Sequence, residues 1–211
     1  MEKQDFYISN QDLTQKTQES TSGSWGKLAQ CSLICALIEI VPLIATVICA
    51  HFFSWYVVLI LSIVSFIVFS LMNYGYNAFM LEFTNSTTAK LSVLFSGFSK
   101  SFFKIIILHF VLFVLLVIAY SLFIVPGVFL TIRYSMTLFC LRENPKLSIS
   151  KAMSSSAKLM KDNYVRLLKV FGINLKWILL GIVTLGIGFI WILPKYLTSK
   201  VIFYDDLKTD F

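Results

Sequence analysis

Residues 104–125 read KIIILHFVLFVLLVIAYSLFIV. After Lys104 no charged side chain interrupts the run, and His109, Tyr120 and Ser121 are its polar groups. An uninterrupted apolar run of about 18 residues or more is long enough to cross the ~30 Å hydrocarbon core of a bilayer as an α-helix. In a soluble protein such a helix would show an apolar stripe at helical spacing, not apolar residues all round. This stretch therefore predicts a membrane-spanning helix, and the rest of the chain repeats the pattern.

The whole sequence is 57% hydrophobic and 14% charged, with a net charge of +7. Ordinary soluble domains carry about 25% charged residues. The mean hydropathy is +0.80. The positive charge does not imply a nucleic-acid partner here, because the basic residues sit between apolar runs, where charges set membrane orientation. Cys31, Cys35, Cys49 and Cys140 all lie in or beside apolar runs, and no His or carboxylate pattern completes a metal site. They read as small apolar packing residues.

Outward from residues 104–125, the predicted spans are 27–50, 52–83, 104–125, 128–141, 164–185 and 189–203. Residues 1–26, rich in Gln, Ser and Thr, read as a polar, mostly flexible tail without a cleavable signal sequence. Residues 27–208 form the transmembrane domain. Pro126-Gly127 is a turn signal between the third and fourth spans. The fourth, 128–141, is short for a ~30 Å core. Residues 84–103 and 147–161 alternate apolar and basic or hydroxyl positions at helical spacing, which predicts two amphipathic interfacial helices. The expected fold is all-α: a polytopic bundle of about six spans with two cytoplasmic amphipathic helices.

The loops support that count. Lys and Arg lie before the first span, between the second and third, between the fourth and fifth, and after the sixth. The alternate connections, at His51, Pro126-Gly127 and Gly186, carry none. The positive-inside rule then places both termini in the cytoplasm.

The second half carries a more specific pattern: Pro126-Gly127, Arg133-Tyr134-Ser135-Met136, Glu143-Asn144-Pro145, Ser156-Ala157-Lys158-Leu159-Met160-Lys161, Thr184-Leu185-Gly186-Ile187-Gly188, Pro194 and Phe203-Tyr204-Asp205-Asp206-Leu207. Upstream are Trp25-Gly26-Lys27, Tyr74-Gly75-Tyr76 and Leu94-Phe95-Ser96-Gly97-Phe98. In this order the elements resemble the domain-of-unknown-function family numbered 975, over most of residues 25–208. The chain departs from that pattern after Leu-Met-Lys, where the family usually has Gly and this sequence has Asp162-Asn163. The resemblance implies a multi-pass protein of the bacterial cytoplasmic membrane. It brings no established activity and no agreed functional residues.

Candidate chemistry is sparse. Glu39 lies inside a span, where a carboxylate costs roughly 2.5–3.5 kcal/mol and normally faces the bundle interior with a partner. Arg133 is the natural counter-ion and Lys176 the second choice. Asn73 and Asn77, four apart, share a helix face and suit interhelical hydrogen bonds or a cavity lining. The structural reading, a buried pair or interhelical glue, is the favoured one for Glu39, Asn73 and Asn77, and His109 reads as a bonded core residue. Lys100, Lys104, Lys151, Lys158 and Lys161 are candidate contacts for anionic lipid headgroups, at about 1 kcal/mol each near a membrane surface, or for a protein partner.

Two Ser-x-x-Lys matches, Ser148–Lys151 and Ser155–Lys158, lack the partner motifs of acyl-transfer enzymes and read as chance. No catalytic or metal-binding constellation is expected, and no cofactor. The sequence thus favours a non-enzymatic membrane protein that acts by membrane, partner or homo-oligomer contacts, in envelope maintenance or in protection against membrane-active agents. The alternative is a small transporter or permease component using Glu39 and Arg133.

Overall fold

The computed structural model describes residues 8–52, 54–86, 89–99, 101–184 and 186–208. It is all-helical, with no strand among the described residues. In chain order the helices are α1 (Asn10–Thr21), α2 (Trp25–Phe52), α3 (Trp55–Ser86), a 3-10 helix (Leu91–Phe98), α4 (Phe102–Leu122), α5 (Ile124–Arg133), α6 (Thr137–Glu143), α7 (Ile149–Met160), α8 (Tyr164–Val183) and α9 (Phe189–Lys208). Among the described residues, four stretches are long and apolar enough to cross a membrane: Trp25–His51, Trp55–Ser86, Phe102–Leu122 and Ile124–Glu143. In α8, Arg166, Lys169 and Lys176 interrupt the apolar run, and in α9 Lys195, Lys200, Asp205 and Asp206 do.

Within the expected N-terminal tail, residues 8–26 are more ordered than their composition suggests, and residues 1–7 lie outside the described residues. Ser9 caps α1 by accepting from the Asp12 N–H at 3.1 Å, which satisfies one of the free donors at a helix start. Leu13, Thr17 and Thr21, spaced four apart, are buried on one face. That face lies on α9, where the Thr17 and Ser199 hydroxyls pair at 3.1 Å. The Ile8 N–H donates to Asp206 Oδ1 at 3.2 Å. A helix with three inward positions and a polar outer face shows little hydropathy, so this tail reads as flexible in the sequence although residues 10–21 are docked.

The predicted amphipathic helix over 84–103 is replaced by two different elements. α3 continues to Ser86, and the 3-10 helix follows at Leu91–Phe98. Its backbone lies directly on α3. A Cβ placed on Gly75 would sit 1.7 Å from the Leu94 carbonyl oxygen, and one on Gly97 2.6 Å from that of Leu71. Two glycines, one from each element, make this approach possible.

The expected turn at Pro126-Gly127 is shifted. α4 ends at Leu122, Phe123 is extended (φ −161°, ψ 156°), and α5 begins at Ile124. Pro126 falls in the first turn of α5, where its missing N–H breaks no intrahelical bond. Gly127 lets Tyr120 lie across it; a Cβ there would meet the ring at 2.3 Å. The apolar stretch of the fourth candidate span accordingly starts earlier than predicted and reaches Glu143, although it is two helices and not one. The break at residues 134–136 is bridged from α7. Ser156 Oγ donates to the Arg133 carbonyl at 2.9 Å and accepts from the Met136 N–H at 3.2 Å.

α7 buries Ala152, Ser156, Leu159 and Met160 and exposes Lys151, Ser154 and Lys158. Its apolar face is used up by the protein. Asp162, after α7, has φ +67°.

The ends of the helices differ sharply. At one end, ion pairs and hydrogen bonds join Arg142 to Glu82, Arg166 to Asp206, and Glu143 to both Lys208 and Tyr204. Lys104 Nζ donates to the carbonyls of Pro145 (2.7 Å) and Leu147 (3.2 Å). Most of the core lies towards this basic end, built on the second half of α3 and on α9, with Phe79, Phe83, Phe139, Phe203 and Tyr204 fully or almost fully buried. At the other end the side chains of α2, the first half of α3, α4 and α8 splay outward, and Trp55, Val125 and Val183 are each 78% exposed.

Candidate intramembrane binding site

Three helices contribute parallel stripes to a shared cavity. Ser32, Cys35, Ala36 and Glu39 come from α2; Phe69, Asn73, Tyr76 and Asn77 from α3; Leu193, Tyr196, Leu197 and Lys200 from α9; Leu138 of α6 completes the wall. Each stripe follows the three-or-four-residue spacing of a single helix face. The cavity volume is about 430 Å³, in the range of small-molecule pockets, ~300–1,000 Å³. It lies at the seam between the packed basic end and the splayed apolar end.

The walls are held by bonds between helices and within them. Ser32 Oγ and Tyr76 OH pair at 2.8 Å, joining α2 to α3. Asn77 Nδ2 donates to the Asn73 carbonyl at 2.8 Å and to its Oδ1 at 3.3 Å. His109 of α4 approaches from behind the wall: its Nδ1 lies 3.0 Å from the Ile105 carbonyl and its Nε2 3.5 Å from Asn73 Oδ1. A neutral imidazole donates only one of these contacts, because its second nitrogen carries a lone pair. Pro42, one turn beyond Glu39, removes a backbone donor from α2. Thr46 Oγ1 donates to the Pro42 carbonyl at 2.8 Å.

Of the sequence-derived candidates, Glu39, Asn73 and Asn77 meet in this cavity. Arg133 does not line it. Its guanidinium carbon lies 6.0 Å from the centre of the Phe129 ring. Lys176 is exposed, with Nζ 5.6 Å from the Trp177 ring. The basic group that shares the cavity with Glu39 is Lys200. In the sequence Lys200 counts only as an orientation charge near the end of a span. The Leu193, Tyr196/Leu197, Lys200 stripe is the signal that finds it, because it matches the Ser32, Cys35/Ala36, Glu39 stripe in spacing and likewise ends on a charge.

Among the described residues, neither Glu39 nor Lys200 belongs to an ion pair. Lys200 Nζ rests 5.3 Å from the centre of the Phe139 ring. No group of His, Cys, Asp and Glu among the described residues is arranged to hold a metal ion. All four cysteines are free thiols.

Of the lysines proposed for headgroups, Lys151, Lys158 and Lys161 are exposed at the basic end. Lys104 is engaged with backbone carbonyls, and Lys100 lies outside the described residues. At the same end, burial pushes the Asp205 carboxyl up to about 6; nearby Lys208 opposes the shift and Glu143 adds to it.

Residues 105–210, from the first turn of α4 through α9, match a family described as a protein of unknown function, DUF975. The chain belongs to this family. No curated protein and no solved structure matches it. In this DUF975 protein the cavity is built across the boundary of the matched region. Leu138, Leu193, Tyr196, Leu197 and Lys200 lie inside it, while Glu39, Asn73 and Asn77 precede it.

Proposed function

We propose that this DUF975 protein is a non-enzymatic, six-crossing protein of the bacterial cytoplasmic membrane that binds a small polar solute in the α2–α3–α9 cavity. The observation that carries this reading is the meeting of Glu39, Asn73, Asn77 and Lys200 in one cavity. Charged side chains at membrane depth are costly, and besides structural pairs they mark solute and ion pathways. The six crossings are supported by the four apolar stretches together with α8 and α9, each 20 residues long. About 20 residues is the length a membrane-spanning helix needs. Loop charge supports cytoplasmic termini.

The test is ligand-dependent stability of the purified protein in lipid nanodiscs. A solute present at about a hundred times its Kd stabilises by about 2.7 kcal/mol. At least one compound of a polar-solute library should raise Tm in the wild type and not in Ala36→Phe, which fills the cavity. If no solute raises Tm, the reading fails.

A second reading, action through lipid or partner contacts, is favoured by the outward lysines of α7. Because the apolar face of α7 is buried in the bundle, this contact would be electrostatic and would not involve insertion. Lys151→Glu with Lys158→Glu should then release co-purifying anionic lipid, and unchanged lipid content removes this reading.

A further inference from the structure

Two opposite charges line the cavity from different helices, Glu39 from α2 and Lys200 from α9. A Lys stem has four rotatable bonds, and in a medium of low dielectric the attraction between unlike charges is strong. Yet these two groups are not paired with each other or with any other charge among the described residues. The ammonium of Lys200 rests instead near the Phe139 ring.

The lining between them is not purely apolar. Asn73 and Asn77 offer amides, and Tyr76 and Tyr196 offer rings and hydroxyls. A carboxylate beside aromatic faces suits an ammonium group. A lysine at the end of a tyrosine-bearing stripe suits a carboxylate.

The geometry points to a small zwitterion as the solute: an ammonium group held at Glu39 and a carboxylate at Lys200, joined by a short aliphatic chain across the Asn73–Asn77 wall. Each of these two half-buried charges then receives its counter-charge from the ligand, and the pair of sites selects for a solute that carries both signs. This inference rests on the solute-binding reading above and adds the chemical class.

The experiment compares four compounds of equal chain length on the full-length protein in nanodiscs: γ-aminobutyrate, butylamine, butyrate and butanol. Only γ-aminobutyrate should raise Tm. Glu39→Gln and Lys200→Met should each weaken its binding by about tenfold or more, the usual effect of losing a ~1.4 kcal/mol contact. Lys200→Glu should transfer the preference to putrescine, which carries an ammonium at both ends. The wild-type ranking decides the matter even if a variant does not fold.

A shift by butylamine, butyrate or butanol as large as that by γ-aminobutyrate overturns the zwitterion and leaves the cavity reading standing. So does a shift by other library solutes with none from γ-aminobutyrate. A shift that persists undiminished in Glu39→Gln and Lys200→Met places the ligand elsewhere and overturns both.

Discussion

The two halves of α3 differ in sequence and meet different surroundings. From Trp55 to Phe69 the helix is apolar and largely outward-facing; from Ser70 to Phe83 nearly every side chain is buried. Hydropathy falls between them, because the first half is broken by Ser62 and Ser65 whereas the second carries Asn73, Asn77 and Glu82. What surrounds each half differs too. The apolar half needs only lipid, whereas the basic end is tied by ion pairs and must build a core of its own. The cavity lies where one regime gives way to the other, where polar residues are neither immersed in lipid nor packed tight.

Glycine substitutions probe this contrast most severely. Gly75→Ala at the packed end would drive a Cβ to within 1.7 Å of the Leu94 carbonyl oxygen, and backbone cannot yield as a side-chain tip can. A loss of about 3 kcal/mol or more is expected, at the upper end of overpacking effects. Gly172→Ala in α8 meets nothing within 4 Å. It should be neutral or stabilise by up to about 1 kcal/mol, the helix-propensity difference. Equilibrium unfolding in mild detergent by added denaturant reads both. Equal losses would break the division into a packed and an open region.

The break between α5 and α6 gives the next effect. Ser156→Ala removes the bonds to the Arg133 carbonyl and the Met136 N–H together. A buried donor left without a partner costs ~1–3 kcal/mol, so about 2 kcal/mol of stability should go. Faster hydrogen exchange should appear at residue 136, and little change in α4.

This bridge also shows where sequence reading stops. Four of the six expected spans are legible in outline, since long apolar runs admit few other structures. So are Glu39, Asn73 and Asn77 as one-faced polar groups at membrane depth. The pairing of Glu39 with Arg133 rests on charge and depth alone. The structure brings Lys200, not Arg133, into the cavity that Glu39 lines, because α9 and not α5 packs against α2 and α3. The 3-10 helix is hidden because Gly75 and Gly97 reveal a close approach only when both elements are seen together. Docking of α1 depends on a partner, α9, nearly two hundred residues away.

A smaller effect reads with pH, and only at the basic end. The folded-state value of Asp205 is raised from 3.8 to about 6. The folded protein therefore holds this proton more tightly than the unfolded chain, and folding is helped most below the unfolded value. That contribution is lost as pH rises from about 4 through 6. Solvent reaching this half-buried site keeps the loss below that for Ser156. Chemical-denaturant midpoints measured across that window should fall with rising pH, and Asp205→Asn should flatten the slope contributed by this group. An unchanged slope would mean that Asp205 is as free in the folded as in the unfolded protein.

The smallest expected change is a gain. Asp162 follows α7 with φ +67°, in the left-handed region that side chains other than Gly, Asn and Asp rarely enter. It stands where the family resemblance leads one to expect glycine, and the backbone conformation supplies the physical reason. Its carboxylate is exposed, so replacing it removes no buried contact, while glycine enters this conformation without the Cβ penalty. The larger entropy of glycine in the unfolded chain takes back part of that gain. Asp162→Gly should therefore stabilise by at most about 1 kcal/mol, visible as a small rise in Tm at unchanged denaturant slope. Asp162→Val, which adds a branched Cβ at the same φ, should lower it. If both substitutions moved Tm in the same direction, the left-handed turn after α7 would not be the conformation that joins the basic end to α8.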